Sequence, residues 1–337
     1  MTGTRPQLLD LCNPDGTLNR EAIAWTRGPG HRCNLSGHRL RRKRWNYWAV
    51  QNERFALAAG IADLDYAATA FVYLVDLERR EVVERSVVTP FARGCTMGER
   101  VGSPANFRSG RITFSSHEEG EVTSVLFTCE DFAEGDRLSA ALRVFYPENC
   151  ETLGVVVPFD DRRFQYTSKH FAVPVTARVR IGQREIPFEW GETFATLDFG
   201  RGVWPRRTTW NWGSAAGYTD GEVVGLNLGG KWTDGTGATE NAVSVNGRLT
   251  KVDEDLEWSY DPGNFLRPWT VRTTRSGSVD LVFEPVVERR TAIDVLLVRS
   301  HVHQLFGTWS GTVIDEHGRE VRIAGLRGWA EEHRALW

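Results

Sequence analysis

The string Arg41-Arg42-Lys43-Arg44-Trp45-Asn46 returns as Arg206-Arg207-Thr208-Thr209-Trp210-Asn211. Both arginines, the tryptophan and the asparagine align without a gap at an offset of 165 residues, close to half of the 337-residue chain. Each copy is followed by two apolar segments. In the first half they are Phe55 to Ile61 and Phe71 to Val75; in the second, Val223 to Leu228 and Ala242 to Val245. A motif that recurs once in the same context points to a duplicated folding unit, not one enlarged core. The expected halves are 1–165 and 166–337, joined between Pro158 and Pro174.

The repeated unit reads as β-structure. Phe55, Leu57, Ala59 and Ile61 alternate along one face, which is the period of a strand. Further strands are expected at Glu121 to Thr128, Leu138 to Phe145, Thr152 to Val157, Val175 to Ile181, Val279 to Phe283 and Val295 to His301. Turn chemistry separates them. Asn246-Gly247 between Val243-Ser244-Val245 and Arg248-Leu249 is a strong hairpin signal, and Glu119-Gly120, Gly182-Gln183 and His317-Gly318 are weaker ones. Helix signals are confined to Asn19 to Trp25, with Asn19 as N-cap, and to Trp329 to Leu336. Short strands at this spacing predict an all-β chain of two antiparallel barrels with a few short helices. The 33 glycines suit its turns, and the 13 tryptophans suit large β cores or a ring-stacking site.

Several function classes are disfavoured. The net charge of -3 lacks the basic excess of a nucleic-acid binder. The run Arg39 to Arg44, followed by Trp45, Tyr47 and Trp48, reads better as a solvated edge strand than as a single-strand-binding surface. Met1 to Pro6 holds no apolar run, and no stretch approaches the roughly 20 apolar residues that span a bilayer. A cytoplasmic protein without a membrane span is expected. The five cysteines, odd in number and irregular in spacing, fit reduced thiols.

Longer strings carry a family likeness. They are Arg163 to His170, Leu197-Asp198-Phe199-Gly200-Arg201-Gly202-Val203-Trp204-Pro205, Trp210 to Gly213, Asn227 to Gly237 and Gly328 to His333. With these the chain resembles, over nearly its whole length, a bacterial family known as domain of unknown function 2804. That family is distantly similar to carotenoid hydratases, tocopherol cyclases and other tandem lipocalin-like proteins. The resemblance implies two lipocalin-like barrels and a small-molecule pocket. The acidic motif of the carotenoid hydratases is not matched residue for residue, so it transfers no catalytic residue.

Candidate site residues concentrate in the second half. Asp198 alternates with Leu197 and Phe199 and is expected in a barrel lumen, where burial would favour its protonated form and make it a general acid. Arg201 and Lys231 would position or stabilise charge. Asn211 and His303 would hydrogen-bond a substrate, with Asn241 and Gln304 nearby. Trp204, Trp210, Trp212 and Trp232 would stack on it, although each also suits an inter-barrel core. Asp198 with Asp234 or Glu240 would instead supply the carboxyl pair of a glycoside hydrolase or lyase. In a lipocalin-like carrier the same pocket would only hold its ligand.

No organic cofactor is called for. Gly230-Lys231-Trp232 departs from the phosphate-loop pattern at its third position. Cys12, His31, Cys33 and His38 lack paired zinc spacing. His301 and His303 alternate on one strand face, a weak metal signal in which His303 would join a mononuclear site with an Asp or Glu, and no Gly-x-Ser-x-Gly elbow is present. The expected partner is a small molecule.

Overall fold

The computed structural model describes residues 8–295 and 298–336. The Met1 to Pro6 segment and residues 296–297 of the expected strand 295–301 lie outside them. The strands that position the site are β1 (Arg42–Gln51), β2 (Arg163–Ile181), β3 (Phe194–Val203), β4 (Arg207–Thr219), β5 (Glu222–Gly230), β6 (Val279–Val295), β7 (Val298–Ile314) and β8 (Glu320–Leu336).

Two large, curled antiparallel sheets dominate the chain, beside a small parallel pair of Leu9–Asp10 with His31–Arg32. The main path of the first runs Glu81–Pro90, Ala67–Asp76, Phe55–Asp63, β1, β3, β2, Asp136–Phe145, Val122–Ala133, Ile112–Glu119, Ala105–Arg108, Cys95–Met97. The second runs Arg248–Lys251, Ala242–Val245, β5, β4, β8, β7, β6, Trp269–Thr273, Leu256–Ser259. Each curls round its own apolar core. Phe107, Phe127, Phe164, Leu197 and Phe199 fill the first; Leu226, Leu281, Phe283, Trp269 and Trp309 fill the second. Tandem lipocalin-like barrels are thus the architecture.

The repeated motif takes equivalent places in the two sheets. β1 lies between the strand that follows it and the closing strand β3, and β4 lies between β5 and the closing strand β8. Asn46 accepts from Arg201 on its closing strand, and Asn211 donates to the Glu331 carbonyl on its own. The changeover between sheets falls between Val203 and Arg207. The expected division at 165/166 falls instead within β2, which pairs with first-sheet strands. The earliest strand of the second sheet, β4, begins within its repeated motif, at Arg207.

Local expectations fare unevenly. Asn246 and Gly247 both adopt positive φ, 49° and 84°, closing the expected tight hairpin. The Asn19 segment shortens to one 3-10 turn, Arg20–Ala22, with the Asn19 side chain accepting from the Glu21 N–H. The helix expected from Trp329 to Leu336 is the end of strand β8. Its helix-forming letters are overridden by pairing on both edges, with β4 on one side and β7 on the other. No helix among the described residues is long and apolar enough to cross a membrane.

Candidate functional site

Alternation along β3 sends Ala195, Leu197, Phe199 and Val203 into the first core. Asp198 therefore faces outward, against the second sheet, and not into the lumen expected for it. Across the sheet it stands beside Tyr47 of β1 and Lys169 of β2. The Lys169 ammonium lies 3.0 Å from Asp198 and 3.1 Å from Glu240, which enters from the loop between β5 and Ala242–Val245 of the second sheet. Thr167 Oγ1 also donates to Asp198, at 3.2 Å. Trp232 Nε1 donates to Glu240 Oε1 at 2.7 Å, and the ammonium stands 4.5 Å from the centre of the Trp212 ring.

Glycines make this approach possible. A Cβ at Gly229 would meet Glu240 Cγ at 2.4 Å, one at Gly200 would meet the Trp45 ring at 2.1 Å, and one at Gly202 would meet Gln165 Oε1 at 2.2 Å. The glycines that interrupt the strand strings thus give their space to side chains of the inter-sheet layer. Trp204 is the hub of the aromatic wall. Its ring centre lies 5.1 Å from that of Trp232, 5.6 Å from Trp45, 5.7 Å from Trp210 and 5.8 Å from Phe159. Trp204 Nε1 donates to Gln165 Oε1 at 2.6 Å. Gln165 is fully buried on the same outward face, and its Nε2 has no hydrogen-bond partner among the described residues.

One ammonium cannot neutralise two carboxylates, and an uncompensated buried charge is costly. The outcome differs by residue. For Lys169, burial acts to lower the pKa, but Asp198 and Glu240 overcome it and the pKa rises, so the amine stays charged. For Glu240, burial is the largest influence and raises the pKa, the Asp198 charge adds to the rise, and Lys169 only partly opposes it. A proton on Glu240 would leave the cluster without net charge.

The other expected site residues divide between two places. Trp212 and Trp210 belong to the same layer. Trp212 Nε1 donates to Asn227, and Trp210 Nε1 donates to Glu331. Trp210 also packs 3.8 Å from His333, centre to centre. Gln304 is in this layer too and accepts from Arg289, which pairs with Glu84 of the first sheet. Asn241 is a brace: it accepts from the Gly229 N–H and donates to the Glu254 carbonyl. Arg201 points the opposite way, into the first core, and does not pair with Asp198. It donates to the carbonyls of Trp45, Gly200 and Gly98 and to Asn46.

Lys231, Asn211 and His303 gather at the open end of the second barrel. Lys231 pairs with Glu332 at 3.1 Å and contacts the Tyr260 hydroxyl, which also receives the Asn211 amide. His303 bonds Glu288 at 2.6 Å. Asp234 is exposed and caps the Lys231 N–H at 2.8 Å. His31 and His38 each bond a backbone carbonyl. No group of three or more metal-ligating side chains occurs among the described residues.

Lys169, Gln165, Glu331 and His333 were passed over in the sequence. The usable signal was Gln165, Thr167 and Lys169 alternating with Phe164 and Tyr166. It was masked by polar Ser168 and His170 on the other face.

Among solved structures, similar ones include a candidate AttH from Nitrosomonas europaea, with 12% identity over 87% of this chain and 92% of that one, at a TM-score of 0.48. Kievitone hydratase from Nectria haematococca shares 9% identity over 99% and 98%, also at 0.48. CghA with Sch210972 shares 9% identity over 88% and 89%, at 0.43. No curated protein sequence matches. The family described as a domain of unknown function (DUF2804) matches residues 4–337, and the chain belongs to that family.

Proposed function

We propose that the chain is an enzyme of cofactor-independent acid–base chemistry on a hydrophobic or amphipathic small molecule, in a hydration, cyclisation or double-bond isomerisation. The observation that carries this reading is Lys169 held between Asp198 and Glu240 in a buried layer walled by Trp204, Trp212 and Trp232. Glu240 gives its proton to a substrate double bond. The carbocation formed is stabilised by the faces of the neighbouring indoles. The new Glu240 carboxylate is held by Lys169 and by Trp232 Nε1. Asp198 then takes a proton, from an attacking water in hydration or from a neighbouring carbon in cyclisation or isomerisation. The proton count balances once Asp198 returns its proton to Glu240.

Glycoside cleavage is less well supported. Asp234 is exposed and bonds the Lys231 N–H, and the Asp198–Glu240 pair shares one ammonium instead of facing an open gap between two carboxyls.

The test is a panel of linear and cyclic isoprenoids incubated with the protein in D2O, read by mass spectrometry for a carbon-bound deuterium or an added water. Glu240→Gln is expected to slow a detected reaction by about 10²- to 10⁴-fold. Undiminished turnover in Glu240→Gln sinks the mechanism. Binding without any incorporation, in wild type and variant alike, makes the protein a carrier.

A further inference from the structure

The open end of the second barrel holds a cleft of about 420 Å³, lined by Glu288, Arg290, His301, His303, Glu332, Arg334 and the loop 262–266. Its volume suits a small organic molecule. It lies on the core-facing side of β6, β7 and β8, opposite the side that carries Arg289, Gln304 and Glu331. The cleft is therefore separate from the inter-sheet layer, and its argument does not rest on the proposed function.

Strand register arranges the charges. Arg290, His303 and Glu332 are neighbours across the three strands, and Ala292, His301 and Arg334 form the next row. Every acid in this group already has a basic partner. Glu332 receives Lys231 at 3.1 Å and Arg334 at 2.8 Å, together with the Tyr260 hydroxyl. Glu288 is taken by His303, and Asp294 by His301 at 3.0 Å. Arg290 is left over. Among the described residues its guanidinium has neither an ion pair nor a hydrogen bond. A guanidinium of fixed charge with all its donors available is suited to an oxyanion.

Phe265 and Leu266 give the loop side of the cleft its apolar part. Phe265 stacks on His303 with ring centres 4.3 Å apart, and Leu266 of the same loop is exposed. Tyr260 stacks on Trp269 behind it, 4.0 Å centre to centre, which fixes the shelf from below.

We infer that this cleft binds a small molecule bearing one oxyanion, a carboxylate or a phosphate monoester, on a flat apolar body. Arg290 takes the oxyanion, and the body lies along Phe265 and Leu266.

The experiment is ¹⁹F NMR titration of the full chain with 4-fluorobenzoate, 4-fluorophenyl phosphate and the neutral 4-fluorobenzyl alcohol. At least one anion is expected to bind, and the alcohol to bind at least tenfold more weakly, about the worth of one charge-assisted contact. The better anion identifies the head group. Arg290→Gln should weaken the anion about tenfold. Leu266→Asp, at an exposed loop position, should repel it by a similar factor and leave folding intact. Glu240→Gln should change nothing here, which keeps this test distinct from that of the inter-sheet site. The inference is overturned if neither anion binds, if the alcohol binds as well, or if Arg290→Gln binds like wild type.

Discussion

Lys169 and Lys231 each meet a buried glutamate across 3.1 Å, yet their surroundings make them different devices. The Lys169 side chain is 5% exposed and has two carboxylates; the Lys231 side chain is 37% exposed and shares Glu332 with Arg334 and Tyr260. At Lys169 two carboxyl groups share one ammonium, and burial raises the Glu240 pKa. At Lys231 cations are in excess and solvent is at hand, so the acid Glu332 is held below its ordinary pKa: burial opposes the shift, and the bonds from Tyr260 and Lys231 outweigh it. The proposed proton donor between the sheets and the proposed anion-accepting mouth on one barrel rest on this difference. Burial and the count of partners decide the role; the lysine–glutamate distance does not.

The comparison is broken hardest at Lys169. Lys169→Met leaves two carboxyls facing each other in the buried layer and is expected to cost about 3–5 kcal/mol at neutral pH. The sign with pH follows from Glu240, whose folded-state pKa is already raised and rises further without the ammonium. Such a group favours the folded state while protonated and loses that contribution as pH increases. Urea unfolding should therefore show a smaller deficit at pH 5 than at pH 8. A deficit independent of pH would mean that Lys169 is only packing.

Glu240→Gln sharpens the contrast from the other side. It leaves Lys169 and Asp198 as a matched pair and keeps a hydrogen-bond acceptor for Trp232 Nε1. Folding stability should stay within about 1 kcal/mol of wild type while proton transfer falls as proposed above. Loss of folding along with activity would make Glu240 structural. Next in size is Gly229→Ala. Its Cβ must displace Glu240, at an expected cost of about 1–3 kcal/mol and with a parallel loss of turnover. Gly229→Ala enzyme of unchanged stability and rate would show that the Glu240 position is not sterically set.

Much of the fold was legible because strand alternation and turn chemistry are local. Asn246-Gly247 declared its hairpin, and the Trp45-Asn46 and Trp210-Asn211 repeat marked equivalent strands, with both indoles packed on Trp204. The site was legible only by residue type. Asp198, Glu240, Trp204, Trp212 and Trp232 do converge. That convergence depends on which side of β3 is the core, and alternation alone assigns two faces without saying which is inside. Arg201 was read onto the Asp198 site because it is close in sequence, but three residues along a strand reverse the side chain. Lys231 and His303 were drawn into the same site because a sequence offers no way to separate two polar groups lying on opposite faces of one sheet. Lys169, the residue that joins Asp198 to Glu240, lies some 30 residues before the one and 70 before the other, beyond the reach of any local pattern.

The mildest test is the mirror of the first. Lys231→Met removes a partly exposed ammonium from a carboxylate that keeps Arg334 at 2.8 Å and Tyr260. Solvent screens the lost pair, so the expected destabilisation is about 1 kcal/mol or less. Its pH dependence should run opposite to that of Lys169→Met. Glu332 has a depressed pKa in the folded protein, so it stabilises the fold when ionised, and that contribution fades as pH falls through the carboxylate range. Removing Lys231 removes part of the depression, and the deficit should be larger at pH 7 than at pH 4. Parallel urea unfolding of the two lysine variants at both ends of this range decides the matter. If Lys231→Met costs as much as Lys169→Met, burial is not what distinguishes the two centres, and the separation of a proton-donating layer from an anion-accepting mouth loses its physical basis.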